Sequence, residues 1–297
     1  MFNNKIQKIL KEVESRFQPK IQSLQQKLQN FKPYDIGGYA INGLTPKKGY
    51  SVKPNLAYGL KARQRLDLYI SDVEPSKALI LFVHGGAWSR GDKQSYKFVG
   101  EAFSRYGYDV AVVNYHLAPE HIFPSYVDDL AVALNYLDTN QQKLGISTNQ
   151  MILMGHSAGA FNIASLLYHP NTIDFKSKQN IKAMIGIAGP YHFDYKGDAL
   201  AEDAFDAEIP YQNVMPYYFV ERNSIKHYLF IADKDEIVKH SNTYDLHEQL
   251  LAQANHSEII NIEKMGHVSI MGSVSSLFSP FFKTRKEILK KLNEALD

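Results

Sequence analysis

The stretch Met151-Ile152-Leu153-Met154-Gly155-His156-Ser157-Ala158-Gly159 joins a short apolar run to a G-x-S-x-G pentapeptide. The helix-compatible segment Ala160-Phe161-Asn162-Ile163-Ala164-Ser165-Leu166-Leu167 follows it. Strand, sharp turn and helix form the context in which the pattern marks a nucleophile elbow. Glycines flank the serine because larger side chains would collide in so tight a turn. The serine is then held in a strained backbone region with its Oγ pushed outward. The pentapeptide alone carries little weight, since a chain of this length shows it by chance at a rate of roughly 0.1. The plainer alternative is a glycine-rich turn whose serine caps a helix. The rest of the chain decides between them.

The 297 residues suit one large α/β domain or two small ones, and a hydrophobic content of 44% is enough for a full core. A net charge of +2 gives no reason to expect a nucleic-acid partner. The absence of cysteine excludes disulfides, thiol catalysis and cysteine-ligated metal sites. The longest apolar run, Ala78 to Val83, is far too short to span a membrane, and the lysine-containing N-terminus has no apolar signal core. A cytoplasmic protein is the corresponding expectation.

Residues 1–44 are read as an N-terminal helical extension, and residues 45–297 as the main domain. Ile6, Ile9, Leu10, Val13 and Phe17, then Ile21, Leu24, Leu28 and Phe31, fall at helical spacing, with Pro19 between the sets and a basic polar face. Residues 1–31 could contact a membrane surface. The stripe is narrow and lacks Trp, which favours a helix pair packed on the domain or on a partner subunit.

From residue 60 onward the pattern alternates. Leu66–Ile70, Ala78–Val83, Val110–Tyr115, Met151–Met154, Ala183–Ala188, Tyr228–Ala232 and Ile259–Ile262 read as strands. Helical stretches are expected near 95–106, 126–138, 158–168, 242–254 and 283–296. Near-continuous apolar strands between helices predict a mostly parallel central sheet with helices on both faces. Leu66-Asp67-Leu68-Tyr69 alternates instead, as an antiparallel edge strand does. Residues 189–222 break the alternation and are expected to form a cap-like insertion over the strand ends.

Open α/β sheets place their sites at the carboxyl ends of the strands. Four expected strand ends carry chemistry. Ser157 follows one. His84-Gly85-Gly86-Ala87-Trp88 follows another, and its glycines suit an oxyanion hole: Gly86 N–H is the first choice of donor, with Gly85 or Ala87 beside it and Ala158 N–H opposing. Asp233 and Asp235 follow a third, and Gly266-His267 a fourth. Asp235 is preferred as the acid, because a residue further along the loop can fold back toward His267; Asp233 reads as a turn or cap residue. The order serine, acid, histidine fits a base at His267 that takes the Ser157 proton and returns it to the leaving group. His84 is expected to orient the glycine loop, and His156 to pack beneath the elbow. No H-E-x-x-H, EF-hand or phosphate-loop pattern occurs, so neither metal nor nucleotide cofactor is indicated.

At these residues the chain resembles the α/β-hydrolases of the carboxylesterase/lipase branch, which includes the hormone-sensitive-lipase-like esterases. The resemblance rests on H-G-G-A-W at 84–88, G-D-K at 91–93, Asn114-Tyr115-His116-Leu117-Ala118-Pro119-Glu120, Phe123-Pro124, the pentapeptide at 155–159, Asp235-x-x-Val238 and Gly266-His267. It covers roughly residues 45–295 and implies Asp235 as the acid and the loop after His84 as the oxyanion hole. Two positions depart from the hormone-sensitive-lipase-like pattern. Trp88 is similar instead to the H-G-G-x-W of arylformamidases and allied esterases, and His116 stands where the family has Arg. A serine esterase for short to medium acyl chains is the expected function, with a small-molecule ester as partner. An arylformamidase-like amide hydrolase is the alternative, and a non-catalytic binding protein on the same fold a remoter one. Trp88 and Tyr191 are expected to wall the substrate pocket, with Phe193, Tyr195, Tyr211, Tyr217 and Tyr218 as further candidates.

Overall fold

The computed structural model describes residues 41–74 and 76–297; the helical reading of residues 1–31 lies outside the described residues. Eight strands form one sheet: β1 Tyr50–Ala57, β2 Arg65–Ser71, β3 Leu79–Val83, β4 Asp109–Val113, β5 Met151–His156, β6 Ile181–Ile187, β7 Lys226–Ala232 and β8 Ser257–Ile262. Their order is β1-β2-β4-β3-β5-β6-β7-β8. β1 and β2 are antiparallel to their neighbours, and the strands from β4 to β8 run parallel. This is the α/β-hydrolase architecture.

Side-chain alternation explains why the central strands read as unbroken apolar runs. Leu79, Leu81 and Val83 of β3 face one core, with Met151 and Leu153 of β5. Ile80 and Phe82 face the other, with Ile152 and Met154. Both faces are covered, so both sets must be apolar. Helices α2 (Ser125–Thr139), α3 (Ala158–Tyr168) and α4 (Ser241–Ala252) lie on the first face. Helices α1 (Lys97–Ser104) and α5 (Thr284–Leu296) lie on the second. Every residue of α3 is buried. That burial fixes the direction in which the chain leaves β5, and with it the position of Ser157.

The expectation of an edge strand at 66–69 needs correction. β1 lies outside β2, so β2 is covered on both sides. Its polar residue, Asp67, does not face solvent: its carboxylate takes the Lys93 ammonium at 2.7 Å and the Asn55 N–H at 2.7 Å. β1 is the edge, and it carries the features that hide a strand from a periodicity search. Pro54 interrupts it, and its register shifts between Lys53 and Leu56, where Asn55 has φ 57°. Proline and bulges are tolerated at sheet edges because no further strand needs their N–H groups.

Residues 189–222 contribute only short helical turns at 202–204, 211–213 and 216–219. Phe205, Val214, Met215 and Val220 bury themselves in the first core. The segment is anchored to α2 through Tyr126, whose hydroxyl donates to the Ala204 carbonyl.

Candidate active site

β3 pairs with β4 on one side and β5 on the other, so the chain switches direction across the sheet at β3. The loops after β3 and β5 therefore flank the crevice where open α/β sheets bind ligands. Ser157 stands at the tip of the second loop with φ 54° and ψ −124°, a strained conformation for a residue with a side chain. The turn leaves room for nothing beyond glycine beside it. A Cβ on Gly155 would lie 2.3 Å from the Gly159 carbonyl oxygen, and one on Gly159 would lie 2.1 Å from that of Val83.

Ser157 Oγ donates to His267 Nε2 at 2.8 Å, and His267 Nδ1–H donates to Asp235 Oδ2 at 2.8 Å. The second Asp235 oxygen accepts the N–H groups of Ile237 and Val238, each at 2.9 Å. Burial alone would raise the Asp235 carboxyl. The hydrogen bond and charge of His267, with the amides of Val238 and Ile237, outweigh it and hold the group below the usual carboxylate range. The loops carrying the pair are zipped together where Lys234 N–H donates to the Met265 carbonyl at 2.7 Å. Asp233 lies on the other side of that zipper, where it accepts the Lys264 N–H at 3.3 Å.

The loop after β3 closes on the elbow. A Cβ on Gly85 would stand 2.9 Å from Ser157 Cβ. Gly86, Ala87 and Trp88 follow with φ of 129°, 49° and 54°. The Gly86 carbonyl holds this turn by accepting from Arg90 N–H at 3.0 Å and Ser89 N–H at 3.2 Å. Among the described residues the N–H groups of Gly86, Ala87 and Ala158 donate to no protein acceptor. Two loops that meet at the serine thus keep backbone donors uncommitted, the condition an oxyanion hole requires.

Trp88 and Tyr191, the expected pocket walls, are both buried. Trp88 is 3% exposed and belongs to the core: its Nε1–H donates to Asn162 Oδ1 at 2.9 Å, and its ring meets Phe161 and Phe205 edge-on. Tyr191 is fully buried against β6, where a Cβ on Gly186 or Gly189 would collide with its ring or hydroxyl. Both belong to the first core. Tyr195 is buried as well, whereas Tyr218 is exposed and Tyr217 half-buried, the latter stacked on His192.

A polar scaffold behind the β3 loop escaped the sequence reading. Asn114 Oδ1 accepts the Lys93 N–H at 2.6 Å, while its amide donates to Asp92 at 2.8 Å. Arg63 donates to the carbonyls of Gly91 and Tyr115. With the Lys93–Asp67 ion pair, these bonds clamp the glycine loop between β2 and β4. The G-D-K and Asn114 positions were visible as motif residues, but their partner Asp67 lies far away in sequence. His116, at the position of the family's Arg, has a carboxylate partner: its backbone N–H and Nδ1–H both donate to Asp129 Oδ2, at 2.7 and 2.6 Å. A cavity of about 400 Å³ under the β1 bulge is lined by Asp67, Tyr69, Lys93 and Lys97 among others; Ser157, Asp235 and His267 do not border it.

Three of the buried histidines are held far below the ordinary imidazole range. His84, whose Nδ1–H donates to the Gly85 carbonyl and whose ring stacks on Tyr115, is held down at about 4, chiefly by burial and then by Arg63. His156 is lowered to about 3 and His227 to about 4, again chiefly by burial. The unfolded chain binds protons at these side chains near 6.5, the folded chain only near 3 to 4, so the unfolded state gains protons first as the pH drops. Stability is therefore full above 6.5 and declines toward 4, each histidine costing on the order of 3 kcal/mol once both states are protonated. That sum is comparable to the whole stability of an ordinary domain, about 5–15 kcal/mol. Urea denaturation at stepped pH is expected to show a midpoint that is flat above pH 7 and collapses between about 6 and 4. A midpoint that holds constant to pH 4 would contradict the buried neutral assignment.

With this geometry in hand, comparison with known proteins is direct. A family model described as BD-FAE matches residues 66–250, well over half of the chain. The chain belongs to the BD-FAE family. The BD-FAE match runs from β2 into α4 and so includes Ser157 and Asp235. Kynurenine formamidase of Drosophila melanogaster is 34% identical over 150 residues, which are 50% of this chain and 48% of that protein. The isoprenylcysteine alpha-carbonyl methylesterase ICME of Arabidopsis thaliana is 31% identical over 148 residues, 48% of this chain and 35% of that protein. The BD-FAE chain thus spans about half or less of the length of these relatives. Esterase B from Lactobacillus rhamnosus shares its fold, with a TM-score of 0.72, 15% identity and 96% of each chain covered.

Proposed function

We propose that this protein is a serine hydrolase of carboxylic esters that works through an acyl-enzyme. The observation that carries the reading is the unbroken chain from Ser157 Oγ through His267 to Asp235, with both links at 2.8 Å. In this mechanism His267 Nε2 removes the Ser157 proton as Oγ attacks the ester carbonyl carbon. The carbonyl oxygen becomes an oxyanion and is met by the N–H groups of Gly86, Ala87 and Ala158, with Gly85 allowing the close approach. Asp235, kept ionised, steadies the imidazolium and fixes its tautomer. His267 then passes the proton to the departing alkoxide, leaving the acyl group on Ser157. Water, deprotonated by the same histidine, releases the acid and restores the serine. Membership of an esterase-like fold and the methylesterase relative support the ester class.

Short to medium acyl chains are the preferred substrates, because residues 189–222 form short turns packed into the core and no apolar lid helix. A p-nitrophenyl ester series from acetate to laurate tests this. Turnover is expected to peak between acetate and hexanoate and to fall at laurate, with the Ser157→Ala variant inactive throughout. A formamide-cleaving enzyme is the second reading, favoured by the formamidase relative. Exclusive cleavage of an N-formyl arylamine, with no turnover of any ester, would replace the first reading by the second.

A further inference from the structure

The residue between Gly155 and Ser157 reaches away from the nucleophile and touches the base. His156 is 5% exposed, and its Nε2–H donates to the backbone carbonyl of His267 at 2.8 Å. The two rings lie 5.0 Å apart, tilted by 40°. The short helical turn after His267 does not use that carbonyl: Ile270 N–H bonds to Gly266, and the N–H groups of Met271 and Gly272 bond to Val268. Without His156, the carbonyl that sets the backbone of the base would be buried against no donor from its own turn.

We propose that His156 is a positioning residue: from the nucleophile's own turn it pins the His267 backbone, so that the base and Ser157 Oγ keep their alignment through the reaction. The inference rests on the triad reading given above. Three observations support it. The bond joins adjacent residues of one loop to a single residue of another, so elbow and base move as one unit. The bond also fixes the tautomer: a carbonyl accepts only, so Nε2 carries the hydrogen and Nδ1 is bare. Nδ1 is buried without a partner among the described residues, and a Cβ on Gly85 would lie 3.1 Å from it. The ring therefore fills the space between the oxyanion loop and the base loop, and glycine at 85 leaves it that space. Burial, with His267 second, holds His156 at about 3, so it stays neutral even when His267 carries the transferred proton. A charged ring 5.0 Å away would oppose that transfer.

The test compares His156→Gln, whose terminal amide can reach the same carbonyl, with His156→Asn and His156→Phe, which cannot donate to it. Three quantities are read: kcat and KM on p-nitrophenyl acetate, and the second-order rate of phosphonylation by a fluorophosphonate. For Phe and Asn, kcat and phosphonylation are expected to fall together by about 30-fold while KM stays within about twofold, since misalignment of a catalytic pair acts on the chemical step. Gln is expected to recover to within about fivefold of wild type. Circular dichroism confirms that each variant compared is folded; if Phe does not fold, the Gln–Asn difference carries the test. Equal kcat and equal phosphonylation in Gln and Asn would overturn the proposal. Inert wild-type protein would instead defeat the triad reading, an outcome separate from any difference among the variants.

Discussion

Ser157→Ala is expected to abolish ester turnover, with kcat falling on the order of a million-fold toward the level that the oxyanion donors and binding alone sustain. The size follows from the mechanism. Removing Oγ eliminates the acyl-enzyme route itself, whereas other changes only slow it. The fold should survive. Alanine keeps the Cβ and the backbone demand at φ 54°, and among the described residues the lost hydroxyl bonds only to His267. The check is steady-state turnover of p-nitrophenyl acetate beside a thermal melt. A variant that melts like wild type yet retains more than about a hundredth of the activity would show that another group attacks.

The second large effect separates two carboxylates two residues apart. Asp235→Asn is expected to lower kcat about ten-thousand-fold, and Asp233→Asn to change it by less than about threefold. An amide at 235 can turn its NH₂ toward His267 Nδ1. That stabilises the wrong tautomer and removes the charge that steadies the imidazolium. Among the described residues the Asp233 carboxylate accepts only a long bond from Lys264 N–H, and it bonds to neither Ser157 nor His267. Comparable losses at the two positions would mean that loop integrity, rather than the link to His267 Nδ1, decides activity.

Much of the fold was legible because its signal is local and repeated. The seven apolar runs correspond to β2–β8, and in the central strands burial on both faces forces unbroken apolar sequence. β1 was not legible: Pro54 and the bulge near Asn55 erase its period, and an edge strand buries too little to need one. The same blindness made β2 read as the edge, because Asp67 looked solvent-facing when its partner Lys93 lies a whole strand and loop away. At the site, strand ends and chain order marked Ser157, Asp235 and His267, and the structure brings these three side chains into one hydrogen-bonded line. The surroundings of Trp88 and Tyr191 were not legible, for a physical reason. An aromatic beside a glycine loop can face the crevice or the core, and only packing against Asn162, Phe161 or Gly186 decides which. The bond from His156 to the His267 carbonyl spans 111 residues and involves a backbone acceptor, which no side-chain pattern encodes.

The most direct measurement is to treat the protein with a fluorophosphonate and locate the adduct by peptide mass spectrometry. A single phosphonyl group on Ser157, absent from heat-denatured protein and from Ser157→Ala, is the expected result. An adduct elsewhere, or none on folded protein, would contradict the assignment of Ser157 as the nucleophile.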